Sequence, residues 1–322
     1  MEADMRIAVT GAGGFIGHHL VKRLKEDDHW VRGIDLKRPE WEDTEADQWM
    51  PADLRHRDMA TLALSHVDQV YALAADMGGI GYITSHHADI MANNTRITLA
   101  TLDACRDRGV RRVLYTSSAC VYPVDLQAGT QSPKLSEHMA WPANPEEGYG
   151  LEKLYSEKLC QYYREDRGLD TCVVRLHNVY GPLGSWEGGK EKAPAAIARK
   201  VAWGGPLVLW GDGRQTRSFM FVDDCVEGLV RLMASGTHGP INLGTEELVT
   251  VDELARTAQD CAGVGGPIEH DPTKPQGVRG RNSDNSKLRA LLGWEPTTTL
   301  REGMAKTYPW VAAQVEAARG RR

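Results

Sequence analysis

The sequence predicts an α/β protein with a doubly wound parallel sheet and a smaller C-terminal lobe, and three observations lead to that expectation. Short apolar runs alternate with segments of helical periodicity through the first half of the chain. The first of these runs ends in a cluster of glycines that opens a helix. Beyond residue 176, glycine and proline become frequent and the alternation turns irregular. Strands that alternate with helices pair in parallel and are covered on both faces.

Each element follows from local pattern. Arg6–Thr10 (RIAVT) is the first strand. Phe15, Ile16, Leu20, Val21 and Leu24 then recur at helical spacing, which predicts a helix over 15–25. Residues 31–35 (VRGID) and 67–74 (VDQVYALA) read as strands. A long helix is expected over 88–107, then a strand over 112–116. Residues 150–166 form the next helix, followed by the strand Thr171–Leu176. In the second part, 193–202 and 223–234 read as helices, 240–243 as a late strand, and 315–322 as a frayed helix.

Composition narrows the function classes. At 322 residues the chain suffices for two domains or one large α/β unit. A hydrophobic content of 41% with 25% charged residues is that of an ordinary globular protein. The net charge of −6 argues against a nucleic-acid surface. No apolar run approaches the ~18 residues that span a bilayer. The acidic start runs into a strand with no signal-peptide pattern. Cysteines 105, 120, 160, 172, 225 and 261 show no C-x-x-C pair, so neither zinc nor a disulfide framework is expected, and a cytoplasmic setting is. His86-His87 and the other histidines show no metal-ligand pattern, and no metal is expected.

The glycines Gly11, Gly14 and Gly17 follow a strand and open a helix. Residues without Cβ let backbone N–H groups and a helix N-terminus approach a pyrophosphate, although the spacing departs by one residue from G-x-G-x-x-G. Asp35 closes the second strand, and a carboxylate there accepts hydrogen bonds from ribose hydroxyls and repels a 2′-phosphate. The cofactor expected is therefore NAD rather than NADP. Asp53 is a candidate for adenine, or simply a solvated loop residue. Tyr149 and Lys153 stand four apart at the start of a helix, on one face. A neighbouring ammonium and a positive nicotinamide ring are expected to lower the phenol's pKa. Ser118 lies at the carboxyl end of a strand, where ligands bind in open α/β sheets, and can hydrogen-bond the reacting oxygen.

These glycines with Ser118, Tyr149 and Lys153, and the later strings DNSKL (284–288) and LGWEP (292–296), resemble the extended short-chain dehydrogenase/reductase family across essentially the whole chain. The resemblance implies a Rossmann-type NAD-binding domain over residues 1–176. It implies a substrate lobe mainly over 177–322 that shares elements with the first domain. Cofactor contacts are expected from Gly11, Gly14, Phe15, Ile16, Gly17, Asp35, Asp53, Leu54, Ala74, Tyr149 and Lys153. Residues 74–81, 117–123, 188–196, 210–219 and 277–285 narrow the resemblance to members that invert C3 and C5 of a GDP-hexose. That implies GDP-mannose as substrate, GDP-L-galactose and GDP-L-gulose as products, and a homodimer packed through 88–107 and 150–166.

In the 4-epimerases of the family the position of Cys120 is usually a small hydroxyl residue, and in the 4,6-dehydratases an Asp-Glu pair occupies this stretch. Inverting C3 and C5 requires C4 oxidation, which acidifies the neighbouring hydrogens, then a base on one ring face and an acid on the other. The resemblance implies Cys120 as that base and Lys192 as the acid; a thiolate suits the role if nearby positive charge lowers its pKa. Read without it, Lys192 is a solvated loop lysine. Gly78, Asn178, Glu191, Lys200, Gln215, Arg217 and Arg281 are implied to face the substrate, the two arginines as forks for a diphosphate. The competing readings are another nucleotide-sugar epimerase of the family, such as a 4-epimerase, and a non-catalytic nucleotide sensor.

Overall fold

The computed structural model describes residues 5–78, 80–274 and 277–321. Gly79, within the 74–81 string, and Arg322, at the end of the 315–322 segment, lie outside them. Seven parallel strands form the main sheet: β1 (Arg6–Thr10), β2 (Trp30–Asp35), β3 (Gln48–Pro51), β4 (Gln69–Ala72), β5 (Arg112–Ser118), β6 (Thr171–Leu176) and β7 (Ile241–Leu243). Their spatial order is β7-β6-β5-β4-β1-β2-β3. The chain winds outward from β1 in both directions, so the order reverses between β1 and β4 and leaves a crevice at their carboxyl ends.

Alternation along each strand builds two cores. Ile7, Val9, Tyr71, Leu114, Cys172 and Val174 face one side, packed with Leu20, Val21 and Leu24 of the helix Phe15–Glu26 and Leu229 of the helix Val222–Ala234. Ala8, Val70, Val113, Tyr115 and Val173 face the other, packed with Leu102 and Cys105 of the helix His87–Asp107 and Cys160 of the helix Tyr149–Arg167. A sheet covered on both sides requires apolar residues at successive positions, which is why the strands read as runs rather than alternations.

Most expected elements are present within a residue or two. The strand expected over 67–74 is shorter, Gln69–Ala72. Among the described residues the last helix is not frayed: Leu300–Arg319 is continuous, and Arg319 donates to the Ala202 and Trp203 carbonyls. The edge strand β3 and the helices Arg57–Ala63, Val251–Ala262 and Leu300–Arg319 are additions to the sequence reading.

The second part is tied into the first. β7 pairs with β6 at the sheet edge. A four-stranded sheet runs Leu248–Thr250, Thr216–Ser218, Gly280–Ser283, Lys134–Leu135, so a strand from the first half completes it. Its register sets Arg217 beside Arg281.

Candidate active site

The glycine turn lies at the crevice. Gly11 has φ of 74°, and a Cβ there would meet the Ala74 nitrogen at 2.9 Å. A Cβ on Gly17 would stand 2.2 Å from the Gly11 carbonyl, so the helix sits directly over the turn only with glycine. Gly14 caps this helix without a side-chain hydrogen bond, and no acidic residue occupies the first turn. Its leading N–H groups are therefore available to an anion, which fits a dinucleotide pyrophosphate. Phe15 and Ile16 begin the helix and pack on the core.

Asp35 accepts hydrogen bonds from the Gly13 N–H (3.0 Å) and the Leu36 N–H (2.6 Å), which fixes its carboxylate beside the turn. Gly13 is a residue the spacing argument passed over. A Cβ there would lie 2.0 Å from the Lys37 carbonyl, and the pair Gly11-Ala12-Gly13 was the available signal. Ala74 donates its N–H to Thr10 Oγ1 (3.1 Å), joining the ends of β1 and β4. Leu54 is buried in the second core. Asp53 pairs with Arg55 at 2.6 Å, which pulls its carboxyl down to about 2.

Ser118 ends β5, and its Oγ accepts the Cys120 N–H (3.2 Å), capping the short turn Ala119–Val121. A buried polar network holds the turn. The Tyr122 hydroxyl donates to Asn242 Oδ1 (2.6 Å) and accepts from Arg175 Nη1 (3.2 Å). Arg175 in turn forks onto Glu157 (2.9 and 2.7 Å). The helix Tyr149–Arg167 starts against this turn: a Cβ on Gly150 would stand 2.2 Å from the Cys120 carbonyl.

That approach packs Tyr149 against Cys120, next to Ser118 in the turn. The phenol's pKa is raised, chiefly by burial and then by Cys120 and Glu152, with only Ser118 opposing. Among the protein's own groups, burial outweighs the lowering expected from the neighbouring ammonium, because Lys153 is engaged elsewhere. Its Nζ lies 5.8 Å from the Tyr149 ring centroid and donates to the Tyr115 hydroxyl (3.1 Å) and the Thr116 carbonyl (3.0 Å). Burial also lowers the lysine's own pKa.

Cys120, only 9% exposed, faces a charged cluster assembled from distant segments. Arg281 donates Nη1 to its Sγ (3.6 Å), Nε to Gln127 Oε1 (2.6 Å), and Nη2 to Glu146. The thiol's pKa is raised, first by burial and then by Glu146; Arg281, Ser118 and Lys192 work the other way. The expected lowering is therefore corrected: burial and one carboxylate outweigh the cations. Lys192, at the N-cap of the helix Ala193–Trp203, is exposed; desolvation lowers its pKa, with Cys120 and Glu146 opposing, so its charge bears on the same cluster. Arg217 joins it, pulled down to about 10 by burial and by Arg281, while donating to the Thr216 and Val278 carbonyls. Arg281 thus meets the thiol directly instead of standing as a free fork. Gln127 and Glu146 are the functional neighbours that sequence reasoning missed, and no motif marks either of them.

The other expected substrate residues have local partners. Glu191 accepts from Arg199 (2.9 Å) and the Gly189 N–H (2.7 Å). Lys200 donates to the Val208 carbonyl (2.6 Å), and Asn178 to the Ser218 carbonyl (3.1 Å). Gln215 donates to the Trp210 carbonyl (2.9 Å), leaving its buried Oε1 without a partner among the described residues. At Gly78 a Cβ would press on the Tyr82 side chain at 2.9 Å.

Comparison with known proteins agrees with this geometry. The profile of the NAD dependent epimerase/dehydratase family matches residues 7–244. GDP-mannose 3,5-epimerase of Arabidopsis thaliana is 46% identical over 316 residues, covering 97% of this chain and 84% of that protein. GDP-mannose 3,5-epimerase 1 of Oryza sativa subsp. indica is 47% identical over 315 residues, covering 97% and 83%. The solved UDP-glucose 4-epimerase of Thermus thermophilus, in complex with NAD, superposes with a TM-score of 0.84 at 26% identity, covering 95% of this chain and 99% of that one. With a glycine turn at the sheet's switch point and a Ser–Tyr–Lys set beside it, the chain belongs to the NAD dependent epimerase/dehydratase family.

Proposed function

We propose that this enzyme converts GDP-α-D-mannose to GDP-L-galactose, and to GDP-L-gulose where only C5 inverts. The Cys120 thiol, packed with Tyr149, joined to Ser118 and met by Arg281, supports this reading, with Lys192 as its acid partner. A simple 4-epimerase needs no second acid–base pair. The identity to the plant GDP-mannose 3,5-epimerases supports the same substrate.

Gly11, Gly13, Gly14, Gly17 and Asp35 would hold the cofactor. When bound, NAD would supply reversible hydride chemistry at C4 of the sugar. Ser118 hydrogen-bonds the C4 oxygen, and Tyr149 takes its proton during oxidation and restores it during reduction. The resulting ketone acidifies the hydrogens on C3 and C5. Cys120 removes such a proton from one ring face, and Lys192 delivers one to the other. Arg281 stabilises the thiolate while it exists. Arg217 adds positive charge that suits an anionic diphosphate.

Incubation in D₂O tests the scheme. Solvent deuterium should enter at C5 and C3 and not at C4, because the C4 hydrogen travels as hydride. Cys120→Ala should still oxidise C4 but lose about 10²–10⁴-fold in deuterium uptake. Uptake by Cys120→Ala at the unsubstituted rate would make the thiol a packing residue. Absence of deuterium at C3 and C5 in the unsubstituted enzyme would favour a 4-epimerase.

We also propose the division into a cofactor half over 1–176 and a mainly substrate half over 177–322, a cytoplasmic setting, and a homodimer. All six cysteines are unpaired, which suits a reducing compartment. Among the described residues, no helix is long and apolar enough to cross a membrane. Leu151, Tyr155 and Tyr162, about half exposed on one stripe of the helix Tyr149–Arg167, support association through that face.

A further inference from the structure

Glu146 has no part in the scheme above, yet it is joined to both sides of the charged cluster. Its N–H donates to the Cys120 carbonyl (3.1 Å), which pins its backbone to the turn carrying the thiol. Its side chain, 18% exposed, pairs with Arg281, whose own side chain is 7% exposed. Arg281 is thereby stretched between Gln127, Glu146 and Cys120 Sγ. We propose that Glu146 is a positioning residue for the Cys120 thiol, anchoring the Arg281 guanidinium beside Sγ and offsetting one of the three cations gathered there.

This rests on the reading of Cys120 as the base. The groups that bear on the thiol come from every surrounding element. They are Ser118 from the end of β5, Tyr149 from its helix, Lys192 from the N-cap of the next, Arg217 and Arg281 from paired strands, and Glu146 from the loop before Tyr149. Lys192, Arg217 and Arg281 are cationic, and Glu146 is the carboxylate among these six. Without it the thiol would face three uncompensated cations and ionise at lower pH. A thiolate of lower pKa is also a weaker base, since intrinsic reactivity falls as pKa falls. Glu146 therefore keeps the thiol basic enough to take a proton from carbon while holding its partner cation in place.

The test uses the NAD-loaded enzyme and two readouts. Alkylation of Cys120 by iodoacetamide across pH, followed on its own peptide by mass spectrometry, reports the thiol's titration. Deuterium uptake at C5 of GDP-mannose reports its action as base. Glu146→Gln retains an oxygen for Arg281 but removes the charge. Its alkylation midpoint should fall by about one pH unit, a tenfold gain in thiolate at a given pH below it. Its maximal C5 exchange should fall about threefold, from a Brønsted slope of ~0.4–0.5. Glu146→Asp, which keeps the charge, should restore the midpoint. Arg281→Lys, which breaks the three-way fork, should move it upward. An unshifted midpoint in Glu146→Gln or in Arg281→Lys overturns the proposal, as does an upward shift in Glu146→Gln. Failure of the underlying reading looks different: Cys120→Ala would keep exchanging deuterium, whatever Glu146 does to the titration.

Discussion

Tyr149 shows how far a single residue can be read before its neighbours are known. The four-residue spacing to Lys153 was visible in the sequence, and both side chains do emerge buried at the start of one helix. The balance of forces on the phenol was not visible. Burial raises it, and Lys153 is turned to Tyr115 and Thr116. Tyr149→Phe should abolish C4 oxidation, measured as absorbance of reduced NAD, while GDP-mannose affinity changes by less than about tenfold, or ~1.4 kcal/mol. Full turnover would assign the proton transfer to another group. Cofactor choice also belongs at this scale. Asp35, fixed by the Gly13 N–H, should make NAD bind more tightly than NADP in calorimetry on stripped enzyme. His177 gives a pH prediction. Buried beside Asn242, it is pushed down to about 3, chiefly by burial and then by Arg281. Between pH 6.5 and about 3 the unfolded chain binds a proton there that the native state does not. Its contribution is therefore complete above pH 6.5 and is lost as pH falls through that window. Urea unfolding should show about 2 kcal/mol of this loss between about pH 6.5 and 5, absent in His177→Gln.

At the scale of elements, periodicity was a good guide for the central strands of the main sheet and the long helices packed on it. β1 and β6 match their expected bounds, and the helix Phe15–Glu26 gains one residue. The helix Val251–Ala262 and all but the end of Leu300–Arg319 went unread although each carries a start signal. Thr250 Oγ1 accepts the Glu253 N–H (3.0 Å), while Glu253 accepts the Thr250 N–H (2.7 Å). Thr299 and Glu302 repeat the arrangement. Both are S/T-x-x-E patterns preceding apolar runs. Thr250→Ala should cost about 1 kcal/mol, a Tm decrease of ~2–4 °C by calorimetry, with the site chemistry unchanged. β3 was harder to find. As an edge strand it is only partly buried, and Gln48–Pro51 carries no apolar run.

For the molecule as a whole, the exposed stripe of Leu151, Tyr155 and Tyr162 is the feature that a single chain leaves unexplained. Replacing Leu151 and Tyr155 together by glutamate should shift sedimentation from dimer to monomer, and a monomeric unsubstituted protein would refute the proposed association. The doubly wound sheet, the glycine turn, the carboxylate at the end of β2 and the Ser118–Tyr149–Lys153 set were all present in the sequence by themselves. Their parts are legible because each strand, turn and helix that carries them is specified by local spacing, and alternating strands and helices bring the parts together in a known way. Only the tertiary structure decided the environment of Cys120. Glu146, Lys192, Arg217 and Arg281 reach it from a loop, a helix cap and two paired strands, and β6, β7 and a strand from the first half hold those pieces in register. Charge interactions act through space in a desolvated pocket, so the ionisation of that thiol is a property of the assembled cluster and of no single segment.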